Sequence, residues 1–138
     1  MPLKDLNKAK EYRKIWMKNL RKKNPDRARE YYKKAHNSVS GKYSEYKFSA
    51  KSRDLVFELS KNDFIKFWNV ECFFCGVCID GVGIDRLDNE IGYTLGNCVS
   101  CCRMCNVAKS IHSYEDFIER CHMIVSRHRN PYDEGGID

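Results

Sequence analysis

Two Cys-x-x-Cys pairs, Cys72/Cys75 and Cys102/Cys105, are separated by 26 residues in a chain of 138. A Cys-x-x-Cys turn presents two thiolates to one side of a tetrahedron, and a second pair distant in sequence closes it. The spacing therefore predicts one structural zinc held by four thiolates, which staples the loop between the pairs. In a domain with a small core such a metal supplies much of the folding free energy, on the order of 10 kcal/mol. The same spacing recurs at Cys75/Cys78 and Cys98/Cys101. The pairs 72/75 and 102/105 are preferred because Gly76 follows Cys75, as a knuckle turn needs, and because Cys102 and Cys105 head a helix-like run. Cys78, Cys98, Cys101 and Cys121 then read as small buried residues. A shifted ligand set, disulfides or free thiols are the competing readings.

Eight cysteines in a secreted chain would suggest disulfides. The opening Met-Pro-Leu-Lys-Asp lacks the apolar stretch of a signal peptide. No apolar run approaches the ~20 residues a membrane span needs. The expectation is a soluble protein of an intracellular, reducing compartment such as the cytoplasm, with no membrane partner. The length fits one domain plus an extension.

The net charge of +6 is unevenly placed. Residues 1–34 carry thirteen Lys+Arg and four Asp+Glu, a net of +9, and the other 104 carry twelve and fifteen, a net of −3. A basic segment joined to a mildly acidic domain points to a polyanion partner gripped by the basic part. Arg13, Lys14, Lys18, Arg21, Lys22, Lys23 and Arg27 are the expected phosphate contacts. Tyr12, Trp16, Tyr31 and Tyr32 are interleaved with them, which favours nucleic acid over a merely solvated face. The expected partner is DNA, with RNA as the alternative.

Residues 1–45 read as a basic helical extension, with one helix over about 4–21 and a second over about 25–37. Asn24 is a candidate N-cap, followed by Pro25 at the first helical position and Asp26 in the first turn. Ala28, Tyr31, Tyr32 and Ala35 share one face of the second helix, and Gly41 and Ser44 mark a soft linker. Residues 46–129 form the second domain. Ser60 and Asp63 make a capping box ahead of Phe64, Ile65, Phe67 and Trp68, whose aromatics are core candidates. Short strands over Val82–Asp85 and Asn97–Cys101 flank a turn-rich loop at Asp88–Gly92. A helix follows over Cys102–Lys109. Ser113 caps a longer one on which Phe117, Ile118, Cys121, Ile124, Val125 and His128 fall at helical spacing. Asn130-Pro131 stops it, and 130–138 reads as a disordered tail. His36, His122 and His128 have no ligand spacing.

Taken together, Cys72-x-x-Cys75-Gly76, Gly83-Ile84-Asp85-Arg86-Leu87-Asp88-Asn89, Gly92-Tyr93-Thr94, Asn97-Cys98-Val99 and Cys102-x-x-Cys105-Asn106-x-x-Lys109 resemble the zinc-containing HNH endonucleases of phages and mobile elements. The match covers about residues 70–110. The resemblance implies a small α+β fold. Its ββα-metal core would be two antiparallel strands followed by a helix, preceded here by the basic helices and followed by a C-terminal helix. It also implies cleavage of DNA backbones with one divalent cation, Mg²⁺ or another. By position, Asp85 and Asn106 would hold that cation, Asn97 would tie the loop between the strands, and Lys109 would lie near the phosphate. An oxygen-rich pair suits a hard cation and leaves it sites for water and phosphate, whereas a four-thiolate zinc is coordinatively closed. A viral source would place the protein in a host cytoplasm.

The sequence departs from the family at one position. The strand-end Asp is usually followed by a His that activates water, and here Arg86 stands there. Arginine stays protonated and accepts no proton at neutral pH. Asp88, His112 or Tyr93 would have to substitute, or Arg86 clamps the phosphate, or the domain is a non-catalytic nucleic-acid-binding zinc module. Cutting both strands usually needs two active sites, so a homodimer or a larger nucleic-acid-processing assembly is compatible with the chain.

Overall fold

The computed structural model describes residues 3–129, and the tail expected over 130–138 lies outside the described residues. The chain divides into two compact units, Met1–Ser44 and Glu45–Asp138.

In the first unit, α1 (Leu3–Lys23) and α2 (Pro25–His36) are separated by Asn24 alone. Asn24 serves both helices. Its N–H donates to the Leu20 carbonyl at 2.8 Å, and its side chain accepts from the Arg27 N–H at 3.0 Å. Pro25 occupies the first helical position, where no intrahelical donor is lost. Met17 and Ala28 are buried, and Trp16 meets Tyr31 edge-on with ring centroids 5.4 Å apart. The predicted soft linker is instead helical: α3 runs over Val39–Ser52 and includes both Gly41 and Ser44. Ser38 starts it, its hydroxyl accepting from the Gly41 N–H at 3.1 Å and donating to the Ala35 carbonyl at 2.6 Å. Gly41 is there for space. A Cβ at this position would overlap the carbonyl oxygens of Ala35 and His36.

In the second unit the end of α3 supplies Ala50, which is buried, and Tyr46, which packs edge-on against Phe64 (5.4 Å) and Tyr93 (6.0 Å). The capping box forms as expected. Ser60 Oγ accepts from the Asp63 N–H at 3.1 Å, and Asp63 Oδ2 accepts from the Ser60 N–H at 3.1 Å, opening α4 (Lys61–Ile65). The half-buried Asp63 carboxyl is held at about 2, first by the Lys66 ammonium and then by Ser60. Leu59, Phe64, Phe67, Ile84 and Tyr93 are buried as well. Phe57 bridges to Tyr93, with the Tyr93 N–H on the Val56 carbonyl (2.8 Å) and the Glu58 N–H on the Tyr93 carbonyl (2.9 Å).

Two three-residue strands, β1 (Ile84–Arg86) and β2 (Cys98–Ser100), pair antiparallel with Asp85 opposite Val99. Each lies within its expected segment, except that β1 extends to Arg86. α5 (Arg103–Lys109) follows β2 directly, with Cys102 as its N-cap, and α6 (Tyr114–His128) starts at the Ser113 cap. The apolar spacing of α6 is only half used. Phe117, Ile118 and Cys121 are partly buried, while Ile124 and Val125 are exposed, because no described element covers that end.

Phe64 is fully buried and Val56 is exposed. Phe64→Ala is expected to lower unfolding free energy by about 3–5 kcal/mol, whereas Val56→Ala changes it by less than about 0.5 kcal/mol. Urea denaturation followed by far-UV circular dichroism measures both.

Candidate functional site

The knuckle Cys72–Gly76 turns back on itself through the Gly76 N–H, which donates to the Cys72 carbonyl at 2.9 Å, and Gly76 adopts φ +74°, a conformation that costs glycine little. The knuckle is fastened to β2. The Phe73 N–H donates to the Ser100 carbonyl (2.9 Å), and Ser100 Oγ donates to the Glu71 carbonyl (2.6 Å). β2 then leads within two residues to Cys102 at the head of α5. The result brings Cys72, Cys75, Cys102 and Cys105 together, with all four sulfurs within 4.8 Å of one another and Cys75 Sγ 3.8 Å from Cys102 Sγ. A tetrahedral ion with bonds of about 2.3 Å requires sulfurs about 3.8 Å apart. None of the eight cysteines is in a disulfide. The four sulfurs can hold one metal ion.

The protonation of these thiols follows from their surroundings. Burial pushes Cys72 up, but N–H groups of Cys102, Cys75 and Phe74 aimed at its sulfur outweigh this and hold it at about 6. Cys105 is pushed well above the ordinary thiol range, first by burial and then by hydrogen bonds with the neighbouring sulfurs. Of these two thiols Cys72 is the readier to ionise and Cys105 the more reluctant. Cys98 and Cys101 lie outside the cluster, and burial raises them to about 11 and about 12. Both are buried, as expected, whereas Cys78 is exposed and Cys121 only partly buried.

Asp85 sits in the middle of β1 and is buried. Lys109 Nζ approaches Asp85 Oδ2 at 3.1 Å and donates to the Arg86 carbonyl at 3.0 Å. The approach to Oδ2 is an ion pair out of hydrogen-bond alignment, so Oδ2 has a counter-charge and no hydrogen-bond donor. Lys109 is itself fully buried. A direct contact with a phosphate from the surface would need it exposed; here it is the counter-ion of Asp85. Asn106 lies one turn earlier on α5, exposed, with Nδ2 3.5 Å from the Ile84 carbonyl. Asn106 and Lys109 therefore both reach β1, on either side of Asp85. Gly83 admits the close approach of the backbone just after β2, since a Cβ there would overlap the Cys101 carbonyl oxygen.

Asn97 is buried and ties the β1–β2 loop. Its Oδ1 accepts from the Asp88 N–H (2.9 Å), and its Nδ2 faces the carbonyls of Asp88 (2.9 Å), Gly92 (3.1 Å) and Ile91 (3.2 Å). Arg86 is bound into the same loop. Its Nη1 donates to the carbonyls of Asn89 (2.7 Å) and Ile91 (2.9 Å), and its guanidinium lies 5.5 Å from the Tyr93 ring centre. The Tyr93 hydroxyl accepts from Arg53 at 2.9 Å. Asp88 and His112 are exposed; Asp88 Oδ1 accepts from the Glu90 N–H at 2.8 Å, and the His112 carbonyl accepts from Asn89 at 3.3 Å. Sequence reasoning missed Arg53 and the pairing of Lys109 with Asp85. The one available signal for the latter was the three-residue interval between Asn106 and Lys109, which puts both on one face of a helix.

Among the basic residues expected to meet phosphate, Arg21 donates to the Tyr32 hydroxyl and stacks over its ring, 4.9 Å from the centre. Arg13, Lys14, Lys18, Lys22, Lys23 and Arg27 are exposed.

These features define a small α+β module, with a two-stranded sheet and a four-cysteine cluster able to hold a metal ion. No family model matches the chain. Over 94 residues it is 38% identical to the uncharacterized protein R423 of Acanthamoeba polyphaga mimivirus, an alignment that covers 66% of this chain and 18% of that protein. The chain thus spans less than a fifth of this relative's length. Among solved structures it is similar to the rare-cutting HNH restriction endonuclease PacI, with a TM-score of 0.54 at 19% identity, over 65% of this chain and 78% of that one. The fold is HNH-like. No described helix is long and apolar enough to cross a membrane.

All four thiols must lose their protons to bind a metal, so affinity for one divalent ion per chain is expected to fall as pH drops. Isothermal titration with zinc across pH, with proton release read in buffers of different ionisation enthalpy, measures this. Cys102→Ser should abolish tight binding, and Cys78→Ser should leave it unchanged.

Proposed function

We propose that the chain is a metal-dependent HNH-like endonuclease that hydrolyses DNA phosphodiester bonds, with a structural zinc at Cys72, Cys75, Cys102 and Cys105. The observation that carries this reading is the buried Asp85 carboxylate, whose Oδ2 has no hydrogen-bond donor. An unsatisfied buried polar atom costs about 1–3 kcal/mol, and more when charged, which is tolerated where a ligand uses the atom. The likeness to a restriction endonuclease of known structure supports the same reading.

Asp85 and Asn106 are the residues that would hold a divalent cation, Mg²⁺ or another, and their oxygens fit a hard ion. Such a cation, when bound, neutralises charge building on the phosphate oxygens. The chain's own groups do the rest. Lys109 keeps the Asp85 carboxylate compensated inside the protein and anchors the end of β1 to α5. Asn97 fixes the loop that follows β1. Arg86, held by two carbonyls of that loop, shapes it and leaves positive charge beside the site. Asp88 and His112 are the exposed groups able to accept the proton of an attacking water. The basic helices α1 and α2 grip the phosphate backbone without regard to sequence, which makes binding salt-dependent.

One observation favours a second reading, a non-catalytic nucleic-acid-binding zinc module. The position of the usual base carries a guanidinium already engaged by carbonyl oxygens. A plasmid-nicking assay with Mg²⁺ or Mn²⁺ separates the two. The nuclease reading expects the wild type to nick and Asp85→Ala to lose about a hundredfold or more in rate. Equal survival of plasmid with both proteins in every metal, while the wild type still binds duplex, would leave only the binding module.

A further inference from the structure

The unit Met1–Ser44 carries a surface that phosphate gripping alone does not explain. Tyr12 and Trp16 lie one turn apart on α1, and Trp16 meets Tyr31 of α2 edge-on at 5.4 Å. Met17 and Ala28 are buried and do the packing of the hairpin, whereas Trp16 keeps 39% of its surface exposed and Tyr12 73%. Open aromatic rings grouped in this way are avoided on surfaces that bind nothing. The three rings line a hollow together with Lys8, Ala9 and Arg13. A second hollow shares Arg13 and Tyr31 with the first and is edged by Lys14, Lys18 and Arg21. The two hollows adjoin at Arg13 and Tyr31, the first carrying the open rings and the second most of the cations, within a segment whose net charge over residues 1–34 is +9.

We propose that this surface binds the unpaired nucleotides of single-stranded DNA, with bases stacked on Tyr12 and Trp16 and the phosphates following Lys8 and Arg13 and passing into the second hollow at Lys14, Lys18 and Arg21. The charge selects a polyanion. The rings select one whose bases present free π faces, which a duplex keeps stacked inside and an acidic protein or a lipid surface lacks. That the strand is DNA rests on the function proposed above, and the new element is a preference for unpaired over paired substrate.

The test is fluorescence anisotropy of the full-length chain with a labelled oligothymidylate, a duplex of equal length and an oligouridylate, all at one salt concentration. The single DNA strand is expected to bind more tightly than the duplex. Trp16→Ala and Tyr12→Ala should each weaken single-strand binding by about five- to a hundredfold and leave duplex binding unchanged, with Trp16→Phe restoring most of the loss. Tyr12, largely exposed, serves as the variant that leaves the hairpin packing intact. Single-strand affinity unchanged in both alanine variants, or a duplex bound as tightly as the single strand, would overturn the proposal while leaving the DNA reading standing. Tighter binding of the RNA would overturn DNA as the ligand. No binding of any oligonucleotide would remove this proposal and the DNA-binding reading together.

Discussion

Four sulfurs within 4.8 Å of one another are a poor arrangement without an ion, because thiolates repel at that range and thiols gain little from it. The chain nevertheless spends a knuckle, a glycine at positive φ and the first turn of α5 on bringing them together. Through Phe73 and Ser100 the knuckle is bonded to β2, and through Cys102 the same strand passes into α5. An ion at this point would fasten β2 and α5 to a segment nearly thirty residues upstream. β1, and with it Asp85, is positioned by pairing with β2 on one side and by Lys109 on the other. The placement of this buried carboxylate therefore depends on the sulfur cluster.

The core shows why such a clamp is needed. Of the largest fully buried side chains, Phe64 is hydrocarbon, while Lys109 and Cys101 are not. Burying an ammonium is costly and is offset here by the Asp85 carboxylate and the Arg86 carbonyl, an arrangement that contributes position more than net stability. Metal binding on the order of 10 kcal/mol is large against the 5–15 kcal/mol or so by which small domains are stable. A frame stabilised by such an ion, away from Asp85, would tolerate an incompletely satisfied group there.

How far the sequence could be read depended on whether the deciding interaction is local. The convergence of Cys72, Cys75, Cys102 and Cys105 was legible because Gly76 and the helix start at Cys102 distinguish two pairs from two others of equal spacing. The caps at Asn24, Ser60 and Ser113 were legible because each acts within three residues of itself. Gly41 misled because glycine marks both freedom and tight approach, and only the nearby carbonyls of Ala35 and His36 tell which applies. Lys109 was read as a phosphate contact since nothing in the sequence records that α5 turns its charge inward. The apolar run of α6 gave the helix but not its partner, and Ile124 and Val125 end up exposed. Arg53 on Tyr93 is a contact across forty residues with no pattern to announce it.

The account rests on the four sulfurs sharing one ion, and X-ray absorption spectroscopy of the purified protein at the metal edge tests that most directly. A first shell of four sulfurs at about 2.3 Å from one zinc per chain is predicted. A shell of nitrogen and oxygen ligands, or protein that binds no metal when zinc is supplied, would contradict it.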